Sequence, residues 1–224
     1  MGIAAGMFLR SLGFFVLFGG LLLAAAGTPG WTRAWLALGL YVAILPVNLA
    51  FVSRKNPVLL RERFRRRADT KPFDKLFAAL GLPILLALPV VAGLDYRFGW
   101  SQLGPGLAGL GAALILLGDV PLLWALSTNP HLEGTVRIQH DRNHRVITTG
   151  PYRFVRHPMY SGLLIQLAGW PLVLGSAWAS VPVSLFGALL VWRTIREDLT
   201  LRLELDGYQG YAARARFRLL PFVW

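Results

Sequence analysis

The chain contains no cysteine, which rules out a disulfide framework, a thiolate nucleophile and any thiolate-held metal. Charge is scarce as well. Only 15% of residues are Asp, Glu, Lys or Arg, against about a quarter in ordinary soluble domains. Histidine occurs four times. His140 and His144 stand at i, i+4, but Gly, Pro and Asn surround them, and so few imidazoles cannot build the several His-rich clusters of a di-metal desaturase or hydroxylase.

What is present is apolar. Hydrophobic residues make up 55% of the 224 residues and the mean hydropathy is +0.52, so the composition is that of a membrane protein. That length accommodates a handful of spans of about 20 residues and one modest polar region. We expect one all-α membrane domain over residues 1–224, with four spans in 1–126 and the site-bearing part in 127–224.

The net charge of +12 is unevenly placed. Nine of the 23 Lys and Arg lie between Arg54 and Lys75 and eleven more from Arg137 onward. Basic residues flanking apolar spans follow the positive-inside rule, so the excess reads as topology and contact with anionic lipid headgroups rather than as a nucleic-acid surface. With a cytoplasmic N-terminus, the segments around Arg54 to Lys75, Ser127 to Tyr160 and after Arg193 share the cytoplasmic side. Arg33 and Arg97 are left opposite.

Apolar runs place the spans at Phe8 to Ala26, Trp31 to Val52, Leu76 to Leu94 and Leu103 to Leu126. A cleaved signal is the rival for the first, since Leu21-Leu22-Leu23 precedes Ala24-Ala25-Ala26, but a lone Arg10 before the core and the later spans favour an uncleaved helix. Trp31 and Trp35 suit an interfacial belt. Pro46 and Asn48 mark a packing kink, and Pro83 and Pro89 interrupt the third run. Asp119 lies close to the end of the fourth span, either hydrated or paired at an interface or serving the chemistry. The Gly-rich stretch Gly104 to Gly111 suits packing within the chain or between chains.

Hydropathy drops from Ser127 to Tyr160, where Gly134 to Gly150 reads as short extended or irregular structure. Two short apolar runs follow, Leu163 to Leu174 and Val181 to Trp192, best placed as a C-terminal helical hairpin with Trp170 and Trp178 toward an interface. From Arg193 the tail begins as an amphipathic helix. Arg193 and Glu197 are i, i+4 neighbours, for which an ordinary helix salt bridge suffices. Gly207 suggests a helix end, and Tyr208 and Tyr211 are expected to anchor the tail at the interface.

The most concentrated chemistry lies in Gly150-Pro151-Tyr152-Arg153-Phe154-Val155-Arg156-His157-Pro158-Met159-Tyr160-Ser161-Gly162. Charged groups in hydrocarbon cost kilocalories each, so this is not plain lipid-facing surface. Together with Arg193, Glu197-Asp198, Tyr208, Tyr211 and Pro221, it resembles the isoprenylcysteine carboxyl methyltransferase family and its relatives among membrane phospholipid methyltransferases. The resemblance covers about the last 90 residues; the first four spans match only in being apolar.

That resemblance implies a multi-pass membrane enzyme that binds S-adenosylmethionine on the cytoplasmic side and takes a lipophilic or prenylated acceptor from the bilayer. It assigns Gln139, His144, Arg145, Val146, Ile147, Tyr152, His157, Pro158, Met159 and Tyr160 to cofactor contact. By the same resemblance Glu197 matches the carboxylate that closes over the cofactor, and Arg193 the arginine expected beside the acceptor. Here the second acidic position is Asp198 where the family pattern has Glu, and the linker from Gln139 to His144 is shorter than in eukaryotic members.

The residue chemistry agrees with this assignment. Methyl transfer from a sulfonium needs alignment and exclusion of water, with neither metal nor covalent intermediate. Tyr152 and Tyr160 suit adenine stacking or a cationic sulfonium. His144, Arg145 or His157 suit a cofactor carboxylate, and Glu197 an amino group or ribose hydroxyls. Arg193 suits a carboxylate acceptor, although a phosphate headgroup fits the same guanidinium. Phospholipid amine methylation, a nicotinamide-dependent sterol-type reductase and a non-catalytic lipid- or partner-binding protein remain as alternatives.

Overall fold

A computed structural model describes residues 3–63 and 69–224. Part of the basic segment from Arg54 to Lys75, residues 64–68, thus lies outside the described residues. The described chain is all helical: α1 (Ile3–Ala26), α2 (Thr32–Lys55), α3 (Pro57–Arg63), α4 (Pro72–Phe98), α5 (Gly106–Thr128), α6 (Pro158–Leu174), α7 (Ser180–Glu204) and α8 (Tyr208–Arg214). Short 3-10 turns at His140–Arg142 and Gly150–Arg153 punctuate the polar segment between α5 and α6. Four helices, α1, α2, α4 and α5, are long and apolar enough to cross a bilayer, at the places the hydropathy predicts.

Prolines sit where helices tolerate them. Pro57, Pro72 and Pro158 open α3, α4 and α6, where the missing N–H has no intrahelical partner in any case. Pro46, Pro83 and Pro89 lie inside α2 and α4 without ending them, as membrane helices allow. The turn between α6 and α7 is set by Gly175, whose φ of +75° is the left-handed conformation that a Cβ disfavours.

The chain forms two compact units, each assembled from three stretches. The first comprises Met1–Leu49, Leu80–Leu117 and Ile165–Gly187. Its core gathers Leu22, Ala34, Ala37, Leu88, Ala92, Ile115, Val173 and Leu174, with alanines letting the helices approach. Trp31 is buried there and stacked on Tyr96 at 4.6 Å between ring centroids. It therefore anchors the core instead of joining an interfacial belt, whereas Trp35 is 52% exposed. Asp95, fully buried, accepts hydrogen bonds from the Ser101 amide and hydroxyl and from the Ser176 hydroxyl, which replace the water it has lost.

The second unit comprises Ala50–Ala79, Gly118–Leu164 and Ala188–Trp224. Its core is more aromatic and more polar: Tyr152, Met159, Tyr160, Leu190, Leu205, Tyr208, Tyr211 and Leu219 are all buried. Tyr208 and Tyr211 are 4% and 3% exposed, so they pack inside rather than anchor an interface. Their hydroxyls find partners in the Asp198 carboxylate and the Tyr152 carbonyl, as buried phenols require. Arg193 also starts no separate tail helix, because α7 runs unbroken from Ser180 to Glu204.

Gly162 marks the tightest approach in this unit. A Cβ there would lie 2.4 Å from the Gly118 carbonyl oxygen and 2.9 Å from the Leu122 nitrogen, backbone atoms that cannot swing aside. Gly162→Ala is expected to destabilise the protein by about 1–3 kcal/mol through overpacking. Gly109→Ala, with nothing within 4 Å of the added carbon, should leave stability unchanged or raised. Thermal unfolding in detergent distinguishes the pair.

Candidate functional site

The site belongs to the second unit and is built around two adjacent residues of α7, Glu197 and Asp198. Successive helical positions are about 100° apart, so the two carboxylates serve different neighbours.

Asp198 is fully buried. It receives Arg156 through Nε at 2.7 Å and Nη2 at 3.1 Å, Arg202 and Arg218 at 3.1 Å each, and the Tyr208 hydroxyl at 2.9 Å. Burial opposes its ionisation, but His157 and Arg156 outweigh burial and hold the carboxyl far below the usual carboxylate range. Arg156 also donates through Nη1 to the carbonyls of Ala215 and Arg216. One carboxylate thereby ties the Gly150 to Gly162 segment to α7 and to the residues after α8. Backbone bonds from Arg156 and His157 to the Phe217 and Arg218 carbonyls complete the seam.

Glu197 points elsewhere. Its Oε2 accepts the Tyr160 hydroxyl at 2.6 Å, and that hydroxyl in turn accepts from Arg193 Nη1. The i, i+4 contact between Arg193 and Glu197 exists at 3.7 Å, with Tyr160 bridging the two. Arg193 Nε donates to Asp74 at 2.6 Å, and its guanidinium lies over the rings of Phe77 and Tyr160 at 4.8 and 5.2 Å. Arg63 is close by, bonded to the Leu132 carbonyl at 2.8 Å. Burial and then repulsion from Arg193 bring it down to about 10.

A narrow cavity of about 60 Å³ opens between these groups. Its walls include His144, Arg145, Val146, Ile147, Tyr152, His157, Pro158, Met159, Tyr160 and Glu197. Each was assigned from the sequence to cofactor contact, and all line the same space. Asn129, Arg156, Leu201, Leu205, Tyr208 and Tyr211 complete it.

Gln139 and Arg193 do not line this cavity. Both border a second one of similar size, which shares Tyr160, His144 and Glu197 with the first. Gln139 is 1% exposed and its amide is engaged, donating to the His131 carbonyl at 2.6 Å and accepting from Arg142 at 2.9 Å. It braces the polar segment, as does Arg137, which pairs with Glu133 and Asp141. Asp119, buried in α5, lines neither cavity.

The histidines near the cavities have distinct surroundings. The rings of His131 and His144 lie 4.6 Å apart. Burial first, then His131, presses His144 from 6.5 down to about 4, so at neutral pH it is an uncharged hydrogen-bonding group. His157 stacks on Tyr160 with an interplanar angle of 5°. Its Nε2 is buried without a hydrogen-bond partner, 3.5 Å from Asp198 Oδ1.

Asp74 and the role of Asp198 escaped the sequence reading. Asp74 is an acidic residue at the head of an apolar helix, with no basic i+4 neighbour to account for it. Lys71 and Lys75 flank it in the sequence, and nothing in one sequence pairs it with Arg193, 119 residues on.

The fold and the site define an integral, multi-pass helical membrane protein with a polar cavity walled by one inter-helix segment and the C-terminal helices. Comparison with known proteins narrows the class. Residues 111–202 match the model of the isoprenylcysteine carboxyl methyltransferase family, bearing out the resemblance carried by the motifs. A probable protein-S-isoprenylcysteine O-methyltransferase of rice, Oryza sativa subsp. indica, is 32% identical over 122 residues, 51% of this chain and 61% of that protein. A Delta(14)-sterol reductase of Schizosaccharomyces pombe is 30% identical over 99 residues, covering 43% of this chain and 23% of the reductase. The chain thus spans less than two thirds of these relatives. Among solved structures, a eukaryotic intramembrane Ras methyltransferase aligns over 100% of this chain and 88% of its own, with a TM-score of 0.53 at 14% identity, a likeness of fold.

Two outcomes are expected. Asp198→Asn leaves buried Arg156 without its counter-charge and should cost about 3–5 kcal/mol, read by chemical or thermal unfolding. The depressed His144 also predicts a pH dependence. Between about pH 6.5 and about pH 4 the unfolded chain binds a proton that the folded chain does not, so stability present above 6.5 is lost as pH falls through that window. His144→Gln should lose less thermal stability over the same range than the parent protein.

Proposed function

We propose that this protein is a membrane methyltransferase of 224 residues acting as one membrane domain. In this reading it uses S-adenosylmethionine to esterify a carboxylate on a lipophilic, isoprenoid-bearing acceptor at the cytoplasmic face. The observation that carries the reading is the convergence on one cavity of ten residues that the family resemblance gives to cofactor contact. The family match over residues 111–202 and the likeness to the rice relative, a probable protein-S-isoprenylcysteine O-methyltransferase, support the reaction class. The asymmetric placement of Lys and Arg supports the side.

The donor set fits the cofactor. Buried Tyr152 and Tyr160 offer aromatic faces for adenine or for a sulfonium. His157 borders the cavity with its ring stacked on Tyr160 and its Nε2 facing the Asp198 carboxylate at 3.5 Å, so it is a fixed part of the wall. Glu197 uses only Oε2 on Tyr160, leaving its other oxygen to take an ammonium or ribose hydroxyls. Arg145 and the neutral His144 supply donors for a carboxylate. Since the cavity is narrow, admitting a nucleoside-sized molecule requires its walls to part, and Leu201, Leu205 and the α8 tyrosines are the walls contributed by the C-terminal helices.

S-adenosylmethionine would supply a methyl group activated by a sulfonium. The chain would then hold donor and acceptor in line and keep water out, a service that accounts for much of the rate in such displacements. Arg193, held by Asp74 and lying close to the rings of Phe77 and Tyr160, would present its least engaged nitrogen, Nη2, to an acceptor carboxylate. The carboxylate is already ionised at neutral pH, so no general base is demanded. An amine acceptor would need one, which favours O-methylation by this arginine-lined site over phospholipid amine methylation.

The sterol reductase relative favours a second reading, in which the cavity takes NADPH. Calorimetric titration of the detergent-purified protein separates the two. Saturable binding of S-adenosylmethionine and none of NADPH is expected, and the reverse pattern overturns the methyltransferase reading. Glu197→Ala should weaken S-adenosylmethionine binding at least about tenfold, the usual worth of a hydrogen bond to a charged group.

A further inference from the structure

We propose that Asp74, in the first turn of α4, is a positioning residue that aims the Arg193 guanidinium at the acceptor carboxylate. The inference rests on the methyltransferase reading and concerns a residue outside the 111–202 stretch that matches the family model. Asp74 is 4% exposed, and both of its oxygens are committed. Oδ1 accepts from Arg193 Nε at 2.6 Å and Oδ2 from the Val136 backbone N–H at 2.9 Å. The carboxylate is therefore fixed by α7 on one side and by the polar segment on the other.

Guanidinium donors form a rigid planar fork. With Nε pinned to Asp74 and the guanidinium lying close to the rings of Phe77 and Tyr160, the direction of the whole fork is set, and Nη1 and Nη2 are left to other partners. Nη1 meets the Tyr160 hydroxyl, and Nη2 makes a single long contact of 3.4 Å with the Gly134 carbonyl. Nη2 is thus the least committed donor of Arg193, and the residue borders the second cavity, which shares Tyr160 and Glu197 with the first. A carboxylate displacing the Gly134 contact would meet a charge-assisted donor already turned toward it. Arg193 released from Asp74 would keep its charge and lose its direction.

The alternative is a buried ion pair that merely holds α4 to α7, and four measurements on the full chain in detergent separate the two. Binding of N-acetyl-S-farnesylcysteine and of its neutral carboxamide gives the acid preference. Calorimetry gives S-adenosylmethionine affinity, methyl transfer to the acid gives turnover, and thermal unfolding gives stability. Asp74→Asn keeps an acceptor for the Val136 N–H and removes the charge. We expect S-adenosylmethionine affinity within about twofold of the parent, turnover reduced on the order of 100-fold, the scale of a small misplacement of a reacting group, and an acid preference reduced about tenfold. Adding Arg193→Ala to Asp74→Asn should slow turnover no further than Arg193→Ala alone, because residues acting as a unit are non-additive.

Asp74→Glu, which retains the charge but moves it by one methylene, provides the same ratio should the Asn variant not fold, and its acid preference should fall too. Acid preference surviving in both variants, or cofactor affinity and unfolding midpoint falling together with turnover, overturns the inference. A parent protein that does not distinguish acid from amide overturns the carboxylate reading itself.

Discussion

The second unit depends on a single buried carboxylate. Asp198 has no access to water, and an ion in that position is tolerable only with close partners of opposite charge. The partners come from three places in the sequence: Arg156 before α6, Arg202 one turn along α7, and Arg218 beyond α8. The cost of burying the anion is therefore offset only when all three segments have come together. That dependence makes Asp198 a condition for the cavity's existence, since Tyr152, His157 and Tyr160 are brought beside Glu197 by the segment that Arg156 anchors.

The neighbouring residue turns the same helix to a different use. Positions 193, 197 and 201 follow one another at intervals of four along α7, Leu205 comes just past its end, and each lines one or both cavities. Positions 194 and 198 lie on the adjoining stripe and are fully buried. α7 thus carries a cavity-lining stripe and a buried stripe side by side. The separation explains how an acidic pair, Glu197-Asp198, can place one carboxylate against a ligand space and sink the other among arginines. It also gives a physical content to Asp at the second position. A shorter side chain keeps the carboxylate close to the helix axis, where Arg156, Arg202 and Tyr208 all reach it.

Much of this was legible in the sequence because it was local or strongly patterned. The four spans announce themselves by uninterrupted apolar length, and Gly150 to Gly162 stood out as polar groups in a chain short of them. The Arg193 and Glu197 pair could be read from helical spacing. What was illegible depended on distance. Tyr208 and Tyr211 look like interfacial anchors because amphipathic phenols favour headgroups, yet buried acceptors on Asp198 and Tyr152 draw their hydroxyls inward. Trp31 was misplaced for the same reason, its stacking partner Tyr96 lying 65 positions away. Gln139 carries the right residue type for ligand contact, but His131 and Arg142 already occupy its amide.

Asp74, outside the recognisable motifs, is tied to Arg193 inside them. Positive charge in this region is plentiful, with Arg63, Arg156 and Arg193 all close to the cavities, and unconstrained guanidiniums there would compete for any anionic ligand. The structure commits each differently. Arg63 is spent on the Leu132 carbonyl, Arg156 is bound on its Nε and both terminal nitrogens by Asp198 and backbone carbonyls, and Arg193 is bound firmly only at its Nε and Nη1. Directional hydrogen bonds thereby convert a diffuse positive field into one oriented donor. Orientation of this kind favours a planar anion more than charge alone does, because electrostatic attraction by itself would serve a phosphate equally well.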